Sequence, residues 1–322
     1  MKVFVTGVAG YIGSVVAERL LEADHQVVGF DNLQSGNRGA VPSESEFIEG
    51  DLLERDELFQ TLRRVAPDAV VHLAAEASID DSDPGKFFRT NVTGGINLLD
   101  AMRIAGTKRI VFSSTAAVYG EPETIPIAES APKKPVNAYG ESKLMFERVL
   151  SWYERYEIMP VSLRYFNACG ATKERGESRE KETHIIPILF EVVLGERESF
   201  SLFGTDYPTD DGTCVRDYIH IGDIADAHVL ALENIGRIGG QAFNMGNGEG
   251  YSNLQVIETV RQVTGHPLPF QNAPRRDGDP AKLVASSEKI RECLGWNPRH
   301  PDLETMVRTA WEWRKAHPNG YS

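Results

Sequence analysis

Short apolar runs alternate with amphipathic stretches through the first half of the chain. Val3, Phe4 and Val5 form a β-branched and aromatic run suited to a strand buried on both faces. Ile12, Val15, Val16, Leu20 and Leu21 then recur at helical spacing. Residues 26–30 and 46–49 read as strands, and 55–65 as a helix. Residues 69–73 are strand-like, 86–105 form a long helical segment, and 109–113 are strand-like again. Another helix begins near Tyr139, and residues 161–166 return to strand. This alternation predicts βαβ units with right-handed crossovers, and so an α/β protein with a doubly wound parallel sheet. Ligands are expected beyond the carboxyl ends of those strands, where Asp31, Asp51, Ser113, Ser114, Thr115 and Asn167 stand.

After Asn167 the pattern loosens. Residues 172–183 hold Lys173, Glu174, Arg175, Glu177, Arg179, Glu180, Lys181 and Glu182 with no apolar residue, which reads as a solvated loop; a flap over the site is the alternative. Residues 184–195, 222–235, 252–263, 286–294 and 302–317 look helical, separated by short strands at 200–203, 241–245 and 268–270. The expected division is residues 1–168 as a nucleotide-binding domain and 169–322 as a smaller α/β substrate domain. Segments near 216–246 are expected to return to the first domain, with a cleft between the two.

Composition narrows the partners. The 322 residues are long enough for two domains, and 41% hydrophobic with 25% charged residues is ordinary for a globular protein. The net charge of −13, with no basic tract, argues against nucleic acid. Three cysteines, Cys169, Cys214 and Cys293, lack metal-ligand spacing, so no metal site is expected and the thiols read as reduced in a cytoplasm. The glycine turn starts at residue 7, which leaves no room for a cleavable signal, and no apolar run approaches the ~20 residues of a membrane span.

Gly7, Gly10 and Gly13 follow the first strand at three-residue spacing and open the first helix. Strand, glycine turn and helix together present backbone N–H groups and a helix dipole to a diphosphate. A glycine triplet alone also serves tight turns. Here a second strand follows, and Asp31 closes it 21 residues past Gly10, where a carboxylate accepts both ribose hydroxyls of an adenosine and repels a 2′-phosphate. The reading is a Rossmann-type domain that binds NAD in preference to NADP.

Tyr139-Gly140-Glu141-Ser142-Lys143 puts Tyr139 and Lys143 on one helix face. A phenol with a pKa near ~10 is a poor base at neutral pH. A nearby ammonium, a bound nicotinamide cation and the helix N-terminus all stabilise its phenolate. Tyr139 is therefore a candidate proton acceptor for an alcohol during hydride transfer. Surface pairing of the two side chains is the competing reading. Ser113, Ser114 and Thr115 end the preceding strand and supply hydroxyl donors, or serve only as strand-end hydrogen bonders.

These motifs resemble a known family. T-G-x-x-G-x-x-G, H-L-A-A (72–75), F-S-S-T-A-A-V-Y-G (112–120), Y-G-E-S-K and R-Y-F-N (164–167) are similar to the extended short-chain dehydrogenase/reductases. F-G-T-D-Y-P-T-D-D-G-T-C-V-R-D-Y-I-H (203–220) and R-R-D-G-D-P-A-K-L-V-A-S (275–286) resemble the UDP-glucose/UDP-galactose 4-epimerases, over nearly the whole chain. The resemblance implies that Tyr139 takes the proton of the sugar 4-hydroxyl while the 4-hydride passes to NAD, and that hydride returns to the opposite face of a 4-keto sugar. Thr115 would bond the reacting oxygen, and Lys143 the nicotinamide ribose. NAD would meet Gly7, Gly10, Tyr11, Ile12, Gly13, Asp31, Asn32, Asp51 and Leu52. Leu73, Ala75, Asn91, Ser113, Tyr139, Lys143 and Phe166 would line the rest of its site. The UDP-sugar would meet Thr115, Tyr139, Asn167, His184, Ile185, Phe203, Arg216, Arg276, Asp279 and Leu283. The two arginines suit a diphosphate because guanidinium forks bind its oxygens in pairs. Ion pairs with Asp217 or Asp279 are the structural alternative for them, and a helix start is the alternative for His184.

Ala116 and Ala117 stand where water-eliminating relatives carry an Asp-Glu pair, which disfavours a dehydratase. Some epimerases carry a cofactor-contacting lysine at the position of Ala77, and an aromatic at that of Leu283. The smaller Leu283 is expected to leave room for a 2-acetamido group. A UDP-glucuronate or pentose 4-epimerase, and a non-catalytic NAD-sensing scaffold, are the alternatives; the latter sits poorly with an intact Tyr139 and Lys143. Met145, Val149, Trp152 and Tyr156 form a second stripe on the Tyr139 helix, which reads as core or, by resemblance, as half of a four-helix homodimer interface.

Overall fold

Alternation within the first strand sets up a sheet covered on both faces. In β1 (Lys2–Thr6), Val3 and Val5 join one core cluster and Phe4 the other, since successive side chains of a strand point to opposite faces. Each is fully buried, contributing roughly 1.5–3 kcal/mol relative to exposure. The computed structural model describes residues 1–77, 83–179, 182–276 and 278–321. Glu180 and Lys181 of the charged run and Asp277 of the 275–286 motif lie outside the described residues.

The chain continues through α1 (Tyr11–Glu22), β2 (Gln26–Asp31), β3 (Glu46–Glu49), α2 (Arg55–Val65), β4 (Ala69–His72) and α3 (Pro84–Phe87). A π-helical turn (Phe88–Gly94) leads into α4 (Gly95–Ala105), then β5 (Arg109–Thr115), α5 (Ala138–Tyr153) and β6 (Met159–Tyr165). There follow β7 (Asn167–Cys169), α6 (Ile185–Val193), β8 (Phe200–Phe203), β9 (Val215–His220), α7 (Ile221–Glu233), α8 (Ile235–Ile238) and β10 (Gln241–Met245). The last elements are β11 (Gly250–Ser252), α9 (Asn253–Thr264), β12 (Phe270–Ala273), β13 (Lys282–Leu283), α10 (Glu288–Leu294) and α11 (Leu303–Ala316).

Seven parallel strands form the main sheet in the order β3-β2-β1-β4-β5-β6-β10. The order reverses between β1 and β4, which is where a doubly wound sheet opens its ligand crevice. This is the Rossmann-type architecture that the alternating pattern predicts. α1 and α7 pack together over one face, and α2 and α4 over the other. Chain segment 221–245 thus belongs to the main sheet, although it follows the strand β9 of a smaller one. That smaller sheet holds β11, β9 and β13, with β7 also paired to β9. β8 and β12 pair separately, and α6, α9 and α11 close a third core around Leu189, Val260 and Met306.

Two expectations change. The helix over 86–105 is interrupted by the π-helical turn, whose extra residue turns the Asn91 amide toward Glu76 and Ser142. Such bulges concentrate at functional sites. The strand at 268–270 is displaced to Phe270–Ala273 because Leu268 is spent in the core and Phe270 pairs with Phe200. No helix among the described residues is long and apolar enough to cross a membrane.

Candidate active site

The glycine turn closes on itself without room for side chains. Gly7 has φ +75°, and a Cβ there would lie 2.5 Å from the Ala74 backbone nitrogen. A Cβ on Gly13 would lie 1.9 Å from the Gly7 carbonyl oxygen. Helix α1 starts at Tyr11 with Gly10 as N-cap and no side-chain cap among the described residues. The first-turn N–H groups therefore face the crevice with a positive dipole, as an anion site requires. Asp31 closes β2 and is buried; its Oδ2 accepts from Ala9 N at 2.9 Å and its Oδ1 from Leu33 N at 2.9 Å. Burial raises its pKa, against those two backbone donors. Each carboxylate oxygen keeps further lone-pair capacity for a ribose hydroxyl. Asn32 Nδ2 donates to Asp51 Oδ2 at 2.9 Å beside it, and Leu52 is in the core. A cradle that a Cβ would fill, next to a buried carboxylate at the second strand's end, fits an adenine dinucleotide.

At the end of β5 the candidate chemistry assembles. Asn137 caps α5, its Oδ1 accepting from Gly140 N at 2.8 Å, and so fixes the start of the helix that bears Tyr139 and Lys143. Lys143 is 2% exposed. Its Nζ donates to the Ser113 carbonyl at 2.9 Å and lies 5.9 Å from the centre of the Tyr139 ring. Burial lowers its pKa to about 7, against the pull of the Glu147 carboxylate. Burial pushes the Tyr139 phenol up, while the Thr115 hydroxyl and the Arg179 guanidinium hold it down. Thr115 Oγ1 accepts from Ala117 N at 3.1 Å. Asn91 spends its amide on Glu76 and on Ser142 Oγ at 2.9 Å, and Ser142 Oγ donates to the Tyr139 carbonyl. Leu73 and Ala75 follow the end of β4 and stay partly exposed to the crevice. Phe166 and Leu283 pack on a cluster of Val118, Tyr119, Ile127 and Leu144.

A cavity of about 250 Å³ opens beside Tyr11. Asn167, His184, Ile185, Phe203, Arg216, Arg276 and Asp279 all line it; Tyr139, Thr115 and Leu283 do not. Arg216 pairs with Asp279 and donates to the Val215 carbonyl at 2.8 Å. Arg276 stacks over the Phe203 ring at 4.0 Å. Asp217 is not an arginine partner: it accepts from Asn247, Gly248 and Ala285 N–H groups, and burial raises its pKa to about 6. His184 is the N-cap residue of α6, its ring bonded to Glu182 and Arg179. Part of the charged run departs from a solvated loop. Glu177 and Glu182 turn inward, where Arg179 pairs with Glu177, the His184 backbone N–H bonds Glu182 at 2.8 Å, and Gly176 N donates to Tyr321 Oη at 2.9 Å. Sequence reasoning missed Tyr218, which also lines the cavity, and Glu147 and Arg164, a buried ion pair under α5.

Residues 3–246 match the NAD dependent epimerase/dehydratase family. The UDP-glucose 4-epimerase of Halalkalibacterium halodurans is 50% identical, covering all of this chain and 98% of that protein. A crystal structure of UDP-glucose 4-epimerase from Brucella ovis in complex with NAD superposes with a TM-score of 0.93 at 41% identity, over 100% of this chain and 99% of that one. The enzyme from Bifidobacterium longum in complex with NAD+ and UDP gives a TM-score of 0.94 at 32% identity, over 100% of both chains.

Proposed function

The chain belongs to the NAD dependent epimerase/dehydratase family, and from that premise we propose how its residues invert a UDP-hexose at carbon 4. The activity is NAD-dependent interconversion of UDP-glucose and UDP-galactose. Gly7, Gly10, Tyr11, Ile12 and Gly13 hold the cofactor pyrophosphate, and Asp31, Asn32, Asp51 and Leu52 its adenosine half. Leu73, Ala75, Asn91, Ser113 and Phe166 shape the path to the nicotinamide. When bound, NAD supplies the hydride acceptor, and its cationic ring opposes the upward push of burial on the nearby phenol.

Tyr139 as phenolate takes the proton of the sugar 4-hydroxyl, and Thr115 donates a hydrogen bond to the same oxygen. Loss of that proton and of the C4 hydride leaves a 4-keto sugar. Arg216 and Arg276 hold the diphosphate while the sugar turns, and Asn167, His184, Ile185, Phe203 and Asp279 hold the uridine. Hydride returns to the other face of C4 and Tyr139 gives its proton back. Lys143 keeps the phenol acidic throughout. The juxtaposition of Tyr139, Lys143 and Thr115 at one strand end, beside the glycine cradle, carries this reading. Ala116 and Ala117 place no carboxyl beside the reacting carbons.

Purified protein given UDP-galactose is expected to form UDP-glucose with no NAD added; no product even with added NAD would overturn the reading. Leu283 packs on the same cluster as Phe166 and is smaller than the aromatic some epimerases carry there, so UDP-N-acetylgalactosamine is expected to turn over as well. Negligible activity on it would discard that part alone.

The chain divides near residue 168 into an NAD-binding part and a UDP-sugar-binding part, with 221–245 returning to the first and 216–220 staying with the second as β9. The protein is a homodimer through α4 and α5. Met145 and Trp152 of α5 are 36% and 66% exposed, Tyr156 just after it 47% and Ile104 of α4 48%, large apolar side chains that a partner subunit would cover. Light scattering should give twice the 35.7 kDa chain mass; a monomer at micromolar concentration contradicts it. The three free cysteines support a cytoplasmic location, which a disulfide-linked native form would contradict.

A further inference from the structure

Glu147 follows Lys143 by one helical turn and faces into the protein. Its Oε1 accepts from Ser114 Oγ at 2.6 Å and from Arg164 Nε at 2.8 Å; its Oε2 accepts from Arg164 Nη2 at 2.6 Å. The two side chains are 10% and 4% exposed. Arg164 Nη1 donates to Tyr119 Oη at 2.8 Å, Tyr119 Oη to Asn244 Oδ1 at 2.7 Å, and Asn244 Nδ2 to the Ile127 carbonyl at 2.8 Å. One carboxylate thus ties α5 to β5, β6, β10 and the turn after Thr115. Ser114, which it holds, stands between Ser113, whose carbonyl receives Lys143, and Thr115.

Stability alone is a poor reason for such a pair. Desolvating two charges costs several kcal/mol, and apolar replacements of buried ion pairs are often neutral or stabilising. A fork of two hydrogen bonds instead fixes direction. On the reading proposed above, we infer that Glu147 is a positioning residue. Clamped by Arg164 and Ser114, it sets the rotation of the helix that carries Tyr139 and Lys143, and it places a carboxylate one turn from the lysine on that helix.

The surrounding charges agree with this. Lys143 faces His72 from β4, a neutral imidazole whose pKa burial lowers to about 3, and Glu147 from its own helix. Tyr139 faces Tyr165 from β6 and Arg179 from the 172–183 segment. Lys133, whose Nζ bonds the Glu129 carbonyl, faces the Glu147–Arg164 pair from outside along with Glu129.

The test compares E147Q, E147D and R164K as NAD-loaded proteins on UDP-galactose. E147Q removes the anion, so the alkaline limb of the kcat profile, where Lys143 loses its proton, is expected to move down by about one pH unit. KM should stay within about twofold, since no substrate contact is lost. E147D keeps the charge and should restore the limb. R164K keeps the Glu147 charge but loses the fork, so kcat should fall several-fold with the limb unmoved. A packing role alone lowers melting temperature and leaves the limb in place. A folded E147Q whose limb coincides with that of the wild type overturns the inference. Should E147Q not fold, R164K decides: wild-type kcat overturns it, a reduced kcat at unchanged KM supports it. An inactive wild type would sink the proposed function, and this inference with it, whereas an active wild type with an unmoved E147Q limb sinks this inference alone.

Discussion

Gly13→Ala is expected to strip the purified protein of NAD. The new methyl would lie 1.9 Å from the Gly7 carbonyl oxygen, against roughly 3.3 Å for an ordinary carbon–oxygen contact. The obstacle is backbone, so no rotamer change relieves it. Gly7 itself is pinned, its N–H bonded to the Phe30 carbonyl at 2.9 Å and its backbone so close to residues 73 and 74 that a Cβ there would have no room. The turn must open, which moves the N–H groups that receive the pyrophosphate. NAD affinity should fall about 100-fold or more, about 2.7 kcal/mol of lost contact, and melting temperature by several degrees. Counting bound NAD per chain checks this; a G13A protein that copurifies with a full complement would place the pyrophosphate elsewhere.

Tyr139→Phe is expected to lower kcat by about 10³-fold or more, within the range that a positioned acid–base group supplies. The substitution removes one oxygen and leaves the ring, whose edge-on contact with Phe87 at 6.3 Å persists. Folding and NAD content should therefore hold. The loss is chemical: burial already works against the phenolate, and the Thr115 hydroxyl and the Arg179 guanidinium counter it. A phenyl ring makes no use of that arrangement.

The main sheet was legible because its central strands carry short apolar runs and its helices are amphipathic, as Val3–Phe4–Val5 and the α1 stripe illustrate. β9 was not. Its V-R-D-Y-I-H run buries Arg216 and Asp217, and periodicity sees only charge there; Asp217 is neutralised by three N–H donors that lie 30 to 68 residues away. The break at Phe88–Gly94 was hidden for a related reason, since the apolar spacing of 86–105 stays helical while the Asn91 amide dictates the bulge. Among the candidate site residues, the glycines, Asp31 and the Tyr139–Lys143 pair were singled out from local spacing. Gathering His184, Phe203, Arg216 and Arg276 around one cavity depends on pairing β9 with β7 and β13, which local spacing does not reveal. Glu147 escaped notice because it reads as a surface glutamate until Arg164 is brought to it from β6.

The central claim is that the Tyr139 phenolate moves the proton while a retained cofactor carries the hydride. Its most direct test is kcat on UDP-galactose for the wild type and Y139F, each with the same measured NAD per chain and none added. The expected result is sustained UDP-glucose formation by the wild type and a rate about 10³-fold lower or less for Y139F. A Y139F rate within about tenfold of the wild type would contradict the claim, because the proton would then have another acceptor.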